Sequence, residues 1–151
     1  MDEFFRAASD IVVRHDGIVD KFLGDAIMAF FNVPFKQEDH VAQAVTVATQ
    51  IQLAVPRINA RLGGEEILQV GIGISTGLAF VGTLGSNKPQ DYTAVGDSVN
   101  VAARLQGEAA PGEVLVTEEA YEAVRKAFPN ALRRVCQLKG INEPVVAYAL
   151  T

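Results

Sequence analysis

The apolar residues at the start of the chain recur at the spacing that places them on one face of an α-helix. They are Phe4, Phe5, Ala8, Ile11 and Val12. The dipeptide Asp16-Gly17 follows, and such a pair is typical of a helix that ends in a left-handed residue. The pattern therefore predicts an amphipathic helix that stops at Asp16-Gly17.

Two short apolar runs come next, at residues 18–23 and 26–31. Only Gly24 and Asp25 separate them, and Gly-Asp is a common sequence for the two-residue turn of a β-hairpin. The pattern predicts two antiparallel strands with Asp25 at their tip. On this pattern alone, an aspartate at a hairpin tip is more often a turn residue than a metal ligand.

The rest of the chain alternates between helical and strand-like segments. A long helix has an apolar face whose register is expected to be disturbed at Pro56. That face consists of Val41, Ala44, Val45, Ala48, Ile51 and Val55. Thr117 before Glu118-Glu119 indicates the N-cap of another helix, and a short helix is predicted at 99–106. Strands are predicted at 68–75, 78–84, 91–95, 113–116, 132–138 and 145–150.

The composition favours a single compact domain. The chain has 151 residues, 49% of them hydrophobic, which is enough for a buried core. Its formal net charge of −5 argues against a nucleic-acid partner, because binding a phosphate backbone requires clustered positive charge. Neither a leader nor a membrane-spanning apolar run is recognisable. We expect a soluble, cytoplasmic segment, and a membrane-anchored parent protein stays open.

Several closely spaced glycines raise the question of a phosphate-binding motif. Gly71, Gly73 and Gly77 do not have the spacing of a dinucleotide fingerprint, and Lys88 follows asparagine rather than the glycine of a P-loop. The glycines at 71, 73, 77, 82 and 85 instead suggest turns or close backbone approaches. The two histidines and the single cysteine have no partners at the spacing of metal ligands or of a catalytic triad.

Two polar residues stand out on the helix predicted at 99–106. Asn100 and Arg104 are four residues apart, so both side chains project from one helix face. Their neighbours are largely apolar, and isolated polar groups on an apolar helix are costly unless they have partners. An amide and a guanidinium together suit a ribose and a phosphate, while a solvated polar face is the alternative. Lys21 and Lys139, taken alone, are typical of surface lysines.

Three motifs, taken in this order, resemble the class III nucleotidyl cyclases. They are Asp16-Gly17-x-Val19-x-Lys21-Phe22-x-Gly24-Asp25-Ala26-x-Met28-Ala29-x-Phe31, Gly71-Ile72-Gly73-Ile74-x-x-Gly77 and Asp91-Tyr92-Thr93-x-x-Gly96-Asp97-x-Val99-Asn100-x-Ala102-x-Arg104-Leu105. The segment Leu138-Lys139-Gly140 agrees as well. Several long motifs in the right order are far more specific than any one of them.

The resemblance implies an α+β fold, a ferredoxin-like two-layer α/β sandwich, with residues 1–151 forming a partial catalytic domain. It implies conversion of ATP or GTP to a 3′,5′-cyclic nucleotide and pyrophosphate, with Mg²⁺ or Mn²⁺ as cofactor. Asp25 matches one of two metal-binding aspartates of the family. Asn100 matches the residue that orients the ribose, and Arg104 the one that stabilises charge on the α-phosphate. Lys139 matches a lysine that contacts the triphosphate.

Lys21 and Thr93 match the purine-selecting pair of the family. Adenine N1 accepts a hydrogen bond, which suits Lys21, and its N6 amino group donates one, which suits the hydroxyl of Thr93. Guanine presents O6 and N1–H, which favour an acidic residue where Lys21 stands. The resemblance therefore predicts ATP as the substrate. It also predicts a homodimer with composite sites, controlled by upstream regulatory domains of a longer protein.

One motif of the family is missing from this sequence. The other metal aspartate belongs to a first strand, in a motif resembling Asp-Ile-x-Gly-Phe-Thr, and this chain has none. We therefore expect an N-terminally truncated cyclase that is inactive as given, with an unpaired sheet edge that favours a non-native dimer. A natural, non-catalytic nucleotide-binding or regulatory dimerisation module is the alternative. Gln69 stands where some members carry an arginine that contacts phosphate.

Overall fold

A computed structural model describes residues 2–33, 36–63, 67–83 and 92–150. The helices are α1 (Asp2–Arg14), α2 (His40–Arg61), α3 (Asp97–Glu108) and α4 (Glu118–Val124). The strands are β1 (Ile18–Leu23), β2 (Ala26–Phe30), β3 (Ile72–Ile74), β4 (Phe80–Thr83), β5 (Tyr92–Val95), β6 (Val114–Thr117), β7 (Leu132–Cys136) and β8 (Val145–Ala149). Two compact units result, Met1–Leu68 with Phe80–Ala94 (the first unit) and Gln69–Ala79 with Val95–Thr151 (the second unit).

The opening helix ends as the sequence predicts. After Arg14 the chain leaves α1 through Asp16, whose φ is +62°. The amide of Gly17 donates to the carbonyl oxygen of Val12 at 2.9 Å, and the amide of Asp16 donates to that of Val13 at 3.1 Å. These two hydrogen bonds define a Schellman motif with Asp16 as its left-handed residue.

The predicted hairpin is confirmed by the antiparallel pairing of β1 and β2, in which Leu23 is opposite Ala26. Gly24 and Asp25 form the two-residue loop, and Gly24 has the positive φ, +63°, that a type II′ turn requires at its first central position. The hairpin packs on a buried cluster shared by α1 and α2. The hairpin contributes Val19, Ala29 and Phe31, and the buried cluster consists of Ile11, Val12 and Val47.

Helix α2 continues past Pro56 to Arg61, so the expected disturbance does not end it. A proline within a helix removes one backbone hydrogen bond and crowds the preceding turn. Beyond the proline, Ile58 is 1% exposed, and the guanidinium of Arg61 pairs with Glu3 on α1 at 2.9 Å. Burial of Ile58 is the larger of these two contributions, and it favours continuation of the helix over a break.

The second unit is built on a four-stranded sheet in the order β3-β6-β8-β7. β3 and β6 are parallel, and β8 is antiparallel to both β6 and β7. Helix α3 covers one face, where its fully buried Leu105 packs with Ala147 and Ala149 of β8. Tyr148 points to the other face, because side chains alternate along a strand. There it stacks on Tyr121 of α4, with ring centroids 4.0 Å apart.

Strand β3 is shorter than predicted, and Leu68, where the predicted strand begins, bonds to a side chain of α2. The side-chain amide of Asn59 accepts from the amide of Leu68 at 2.7 Å and donates to its carbonyl oxygen at 3.1 Å. The carbonyl oxygen of Val70 accepts from the amide of Gly112 at 2.8 Å. The predicted N-cap is confirmed, since the Thr117 hydroxyl accepts from an amide in the first turn of α4.

The remaining predicted elements are present with shifted ends. β4 and β5 pair as a separate two-stranded sheet, and the predicted strand ends at Leu84 and Asp91 lie outside the described residues. The α+β class is confirmed. None of the described helices is long and apolar enough to cross a membrane.

Candidate active site

The hairpin of the first unit presents Asp25 and Lys21 to solvent. Both residues are exposed, and neither side chain has a hydrogen-bond or ion-pair partner in the described part of the chain. Asp25 lies in the two-residue loop, beyond the last paired residues of the strands. Its carboxylate is therefore accessible to an external cation without loss of any contact that stabilises the hairpin.

An irregularity in β1 determines which face of the hairpin carries Lys21. Val19 and Lys21 are opposite adjacent residues of β2, so Asp20 between them is the extra residue of a β-bulge. Val19 packs on the helices, and the ring of Phe22 lies 5.0 Å from that of Phe5 on α1. Because paired neighbours alternate between faces, Lys21 lies on the face away from α1. Val19 and Phe22 lie on the same face although they are three residues apart, and this spacing is the sequence signal for the bulge. A strict alternation of faces along the strand does not predict it.

Thr93 belongs to β5 by its backbone, and β5 pairs with β4. Its side chain lies outside the described residues. The expected pairing of Lys21 and Thr93 around a purine therefore stays a prediction.

Helix α3 exposes Asn100 and Arg104 on one side and buries Leu105 on the other. No described residue forms a hydrogen bond or ion pair with either of the two polar side chains. The expectation that they are costly polar groups on an apolar helix is wrong, because α3 also exposes Ala103 and Gln106 to solvent. The helix is amphipathic, so solvent satisfies both polar groups and the desolvation argument does not apply.

Lys139 and Arg104 flank the same buried cluster of the second unit. Lys139 is exposed in a turn formed with Gly140, whose φ is +79°. The preceding residue, Leu138, is 3% exposed and packs in one cluster with Leu105, the residue after Arg104. The turn and α3 are thus held by shared core contacts. These contacts fix the backbone positions from which the side chains of Lys139 and Arg104 extend into solvent.

The best-defined ion pair of the second unit lies at the C-terminal end of α3. Arg134 donates from both terminal guanidinium nitrogens to the two carboxylate oxygens of Glu113, each at 2.9 Å. One of those oxygens also accepts from the amide of Ala110 at 3.0 Å. The hydrogen bonds from Arg134 hold the pKa of Glu113 below its ordinary value of 4.5, against the opposing effect of burial. Sequence reasoning missed this pair, because its residues are far apart in the chain.

The single cysteine does not belong to the candidate site. Cys136 is 5% exposed and packs in the cluster beneath α3. Burial raises the pKa of its thiol. A buried, protonated thiol is a poor nucleophile and a poor metal ligand, so Cys136 is a core residue.

Asp25 is compatible with a hard divalent cation, because it offers accessible carboxylate oxygens. Mg²⁺ is usually held by one or two carboxylates together with substrate phosphates and water, so one aspartate fits as part of such a set. Within the described ranges, no group of three or more histidine, cysteine, aspartate or glutamate residues lies close enough together to hold a metal. The structure thus provides one candidate ligand.

The candidate residues fall into the two units. Lys21, Asp25 and Thr93 belong to the first unit, and Asn100 and Arg104 belong to the second. Lys139 belongs to the second unit as well. A groove of about 370 Å³ runs along α1 and α2, and no candidate residue lines it. The groove is therefore not part of the candidate site.

Comparison with known proteins places this chain in a family. Residues 2–151 match the family model of the adenylate and guanylate cyclase catalytic domain. Adenylate cyclase 1 of Rhizobium meliloti (strain 1021) is 36% identical over 109 residues, which cover 71% of this chain and 16% of that protein. The chain therefore spans a small part of the length of this relative.

Solved cyclase structures share the fold. The guanylyl cyclase Cya2 is 32% identical with a TM-score of 0.84, over 97% of this chain and 76% of that chain. The adenylyl cyclase CyaB from P. aeruginosa is 29% identical with a TM-score of 0.82, over 99% of this chain and 79% of that chain. These similarities confirm the predicted ferredoxin-like α+β fold of the nucleotidyl cyclases.

The matched family model and the shared fold define a nucleotidyl cyclase domain. The chain belongs to the adenylate and guanylate cyclase catalytic-domain family. Domains of this family are generally metal-dependent. The similar proteins include both adenylyl and guanylyl cyclases. Membership of the family therefore does not distinguish ATP from GTP as the substrate, and the preferred purine must be inferred from this chain's own residues.

Proposed function

We propose that this chain is the catalytic domain of an adenylate cyclase, which converts ATP to 3′,5′-cyclic AMP and pyrophosphate. The observation that carries the proposal is a set of exposed side chains that have no hydrogen-bond or ion-pair partner among the described residues. Lys21 and Asp25 lie on the hairpin, and Asn100 and Arg104 lie on α3. Folding of the chain does not require these polar groups, so they are available to a substrate.

The proposed reaction forms a phosphodiester ring within the nucleotide. The ribose 3′-oxygen attacks the α-phosphorus, the bond to the oxygen that bridges to the β-phosphate breaks, and the 3′-hydroxyl proton passes to solvent. Asn100 orients the ribose for in-line attack. Arg104 stabilises the charge that grows on the α-phosphate oxygens. Lys139 binds the triphosphate and favours departure of pyrophosphate as a dianion or higher anion.

Asp25 is proposed as one carboxylate ligand of Mg²⁺ or Mn²⁺. When bound, such ions activate the 3′-hydroxyl and neutralise the triphosphate. The second carboxylate of the family's site belongs to the first-strand motif that this sequence lacks. We therefore propose that the 151-residue chain alone has little or no turnover.

Lys21 and Thr93 are proposed to select adenine over guanine. The support from the structure is the face and exposure of Lys21, which lies away from the packed helices and has no hydrogen-bond or ion-pair partner among the described residues. A cationic donor suits the N1 acceptor of adenine and opposes the N1–H donor of guanine. ATP rather than GTP is therefore the proposed substrate.

We further propose that the chain acts as a homodimer within a longer protein. By resemblance to the family, one protomer supplies Asp25 and the other supplies Lys21, Thr93, Asn100 and Arg104. Because the same residues occur in both copies, a symmetric dimer contains two composite sites. Control by upstream regulatory domains in the cytoplasm completes the proposal.

A non-catalytic nucleotide-binding or regulatory dimerisation module is the second candidate. The observation in its favour is that Asp25 is the one metal-type carboxylate matched in the sequence. Such a module would bind ATP through Lys21, Asn100 and Lys139 without cyclising it. Binding and turnover therefore have to be measured separately.

The discriminating experiment compares Arg104→Ala with the unchanged natural protein that contains this chain. A group that acts on the transition state is expected to lower kcat about 100-fold or more while ATP affinity changes by less than about tenfold. Arg125→Ala, at an exposed arginine of the second unit, is the matched control. Tight ATP binding without any cyclic nucleotide from the unchanged protein would support the regulatory module instead.

A further inference from the structure

The motif Gly71-Ile72-Gly73-Ile74 has no role in the chemistry above, yet it lies directly against α3. A β-carbon at position 73 would lie 2.5 Å from the carbonyl oxygen of Ala102 and 2.5 Å from the amide nitrogen of Gln106. Real β-carbons essentially never approach other atoms so closely. Position 73 therefore has room for glycine and no larger residue, unless α3 moves.

The obstruction at Gly73 is main chain, which cannot yield by a change of rotamer. Gly73 does not have a positive φ, so glycine is required there by space and not by backbone conformation. Ordinary van der Waals contact begins near 3.4 Å. An alanine at this position must therefore displace α3 from β3 by about 1 Å, since packed interiors transmit such a strain instead of absorbing it.

A second glycine contacts the same helix near its end. A β-carbon at Gly71 would lie 2.9 Å from the carbonyl oxygen of Ala109, just beyond the C-terminus of α3. Gly71 and Gly73 both point to the α3 face of β3, because side-chain positions two apart share a face. The separation of helix and strand is thus limited by backbone contact at two points.

We propose that Gly73 is a positioning residue for Asn100 and Arg104. This inference rests on the proposed function, because it takes these two residues of α3 as the groups that hold the ribose and the α-phosphate. Gly73 packs against the backbone of Ala102. Ala102 is midway in sequence between Asn100 and Arg104. A misplacement of about 1 Å in catalytic groups can lower a rate about 100-fold. Gly73 therefore sets the distance between the strand and the helix at which the two residues meet the substrate.

The experiment compares Gly73→Ala with Gly107→Ala in the natural protein that contains this chain. Gly107 also lies on α3, has no positive φ, and a β-carbon there would meet no atom within 4 Å. Gly73→Ala is expected to lower kcat for ATP about 100-fold, with KM changed less than about threefold, because the purine contacts lie on other elements. Gly107→Ala is expected to retain the unchanged rate. Both are assayed well below their unfolding temperatures, so that the fraction folded does not limit the rate.

Hydrogen exchange of the α3 amides gives a readout that does not depend on turnover. Faster exchange in α3 of Gly73→Ala, with unchanged exchange in α4, supports displacement of α3 even if the unchanged protein proves to make no cyclic nucleotide. In that case the proposed function fails while the contact between Gly73 and α3 stands. A folded Gly73→Ala protein with unchanged kcat and unchanged α3 exchange overturns the inference. If Gly73→Ala does not fold, Gly71→Ala is measured against the same criteria, with about a tenfold loss expected from its milder contact.

Discussion

The hairpin that carries Lys21 and Asp25 and the helix that carries Asn100 and Arg104 are supported in different ways. The two strands of the hairpin pair only with each other among the described strands, and Phe22 near its tip is 54% exposed. Helix α3 lies on a four-stranded sheet with Leu105 fully buried. The hairpin thus holds its residues through local turn geometry, and α3 holds its residues through the core.

This difference predicts how each of the two groups of candidate residues responds to substitution. Near the tip of the hairpin, a substitution removes the functional group itself and disturbs few packing contacts. Beneath α3, a substitution of a residue that never meets the substrate moves the residues that do. Activity should therefore be sensitive to the chemistry of the residues on the hairpin, and to both chemistry and packing for the residues on α3.

The largest expected effect tests the proposal that the hairpin residues and the α3 residues act in one composite site. Asp25→Ala and Arg104→Ala are each expected to lower cyclase activity of the natural protein about 100-fold or more. Mixed in equal amounts, they should regain about a quarter of the unchanged activity, because half of the dimers are mixed and each of these has one intact site. Activity of the mixture equal to the average of the two variants would contradict a shared site.

Lys21→Glu tests the chemistry of the hairpin with less effect on packing. The carboxylate cannot donate to adenine N1 and can accept from guanine N1–H, so the ATP to GTP ratio of kcat/KM should fall at least tenfold. Lys126→Glu, at an exposed lysine beyond α4, is the control for charge alone. An unchanged ratio in Lys21→Glu would remove Lys21 from the specificity site.

The stability of the two regions should differ in proportion to burial. Leu105→Ala is expected to lower the free energy of unfolding by about 2–5 kcal/mol, the usual cost of truncating a buried leucine. Phe22→Ala is expected to cost less, about 1 kcal/mol, because more than half of that side chain is exposed. Denaturant unfolding of both variants measures the contrast. Equal losses would show that the hairpin tip is as well supported as α3.

The smallest effect concerns the Glu113–Arg134 pair at the end of α3. Hydrogen bonds from Arg134 lower the pKa of Glu113 in the folded state. The ion pair therefore contributes fully to stability above about pH 4.5, the ordinary pKa of the carboxyl group. That contribution is lost as the pH falls through the lower pKa of the folded state. Glu113→Gln should flatten this acid-side decline by about 1 kcal/mol or less, because Arg134 is partly exposed. Denaturation midpoints across acid pH measure it, with Glu122→Gln as the control. A decline of equal size in Glu113→Gln would exclude the pair as its source.

Much of the fold follows from local sequence signals. The Asp16-Gly17 stop, the Gly24-Asp25 turn and the Thr117 cap act within a few residues, so their patterns predict the structure directly. The continuation of α2 past Pro56 depends on burial of a later residue by tertiary packing, which no local pattern contains. The hydrogen bonds between Asn59 and Leu68 likewise join residues of different elements, which no local pattern predicts.

The candidate site residues also include features that the sequence predicts and features that depend on tertiary packing. Resemblance of the motifs predicts roles for Lys21, Asp25, Asn100 and Arg104, and the structure gives the exposure of each. Pattern reading alone treated Asn100 and Arg104 as costly on an apolar helix and was wrong, since exposure is decided by which face of α3 meets the sheet. The contact of Gly73 with α3 is also beyond a sequence pattern, because it is a distance between two main chains.

The most direct measurement supplies equal concentrations of ATP and GTP with Mn²⁺ to the natural protein that contains this chain, and quantifies both cyclic products by mass spectrometry. We expect cyclic AMP in at least tenfold excess over cyclic GMP, because the proposed role of Lys21 is to donate to the N1 acceptor of adenine. Cyclic GMP in excess, or neither product, would contradict the assignment as an adenylate cyclase domain.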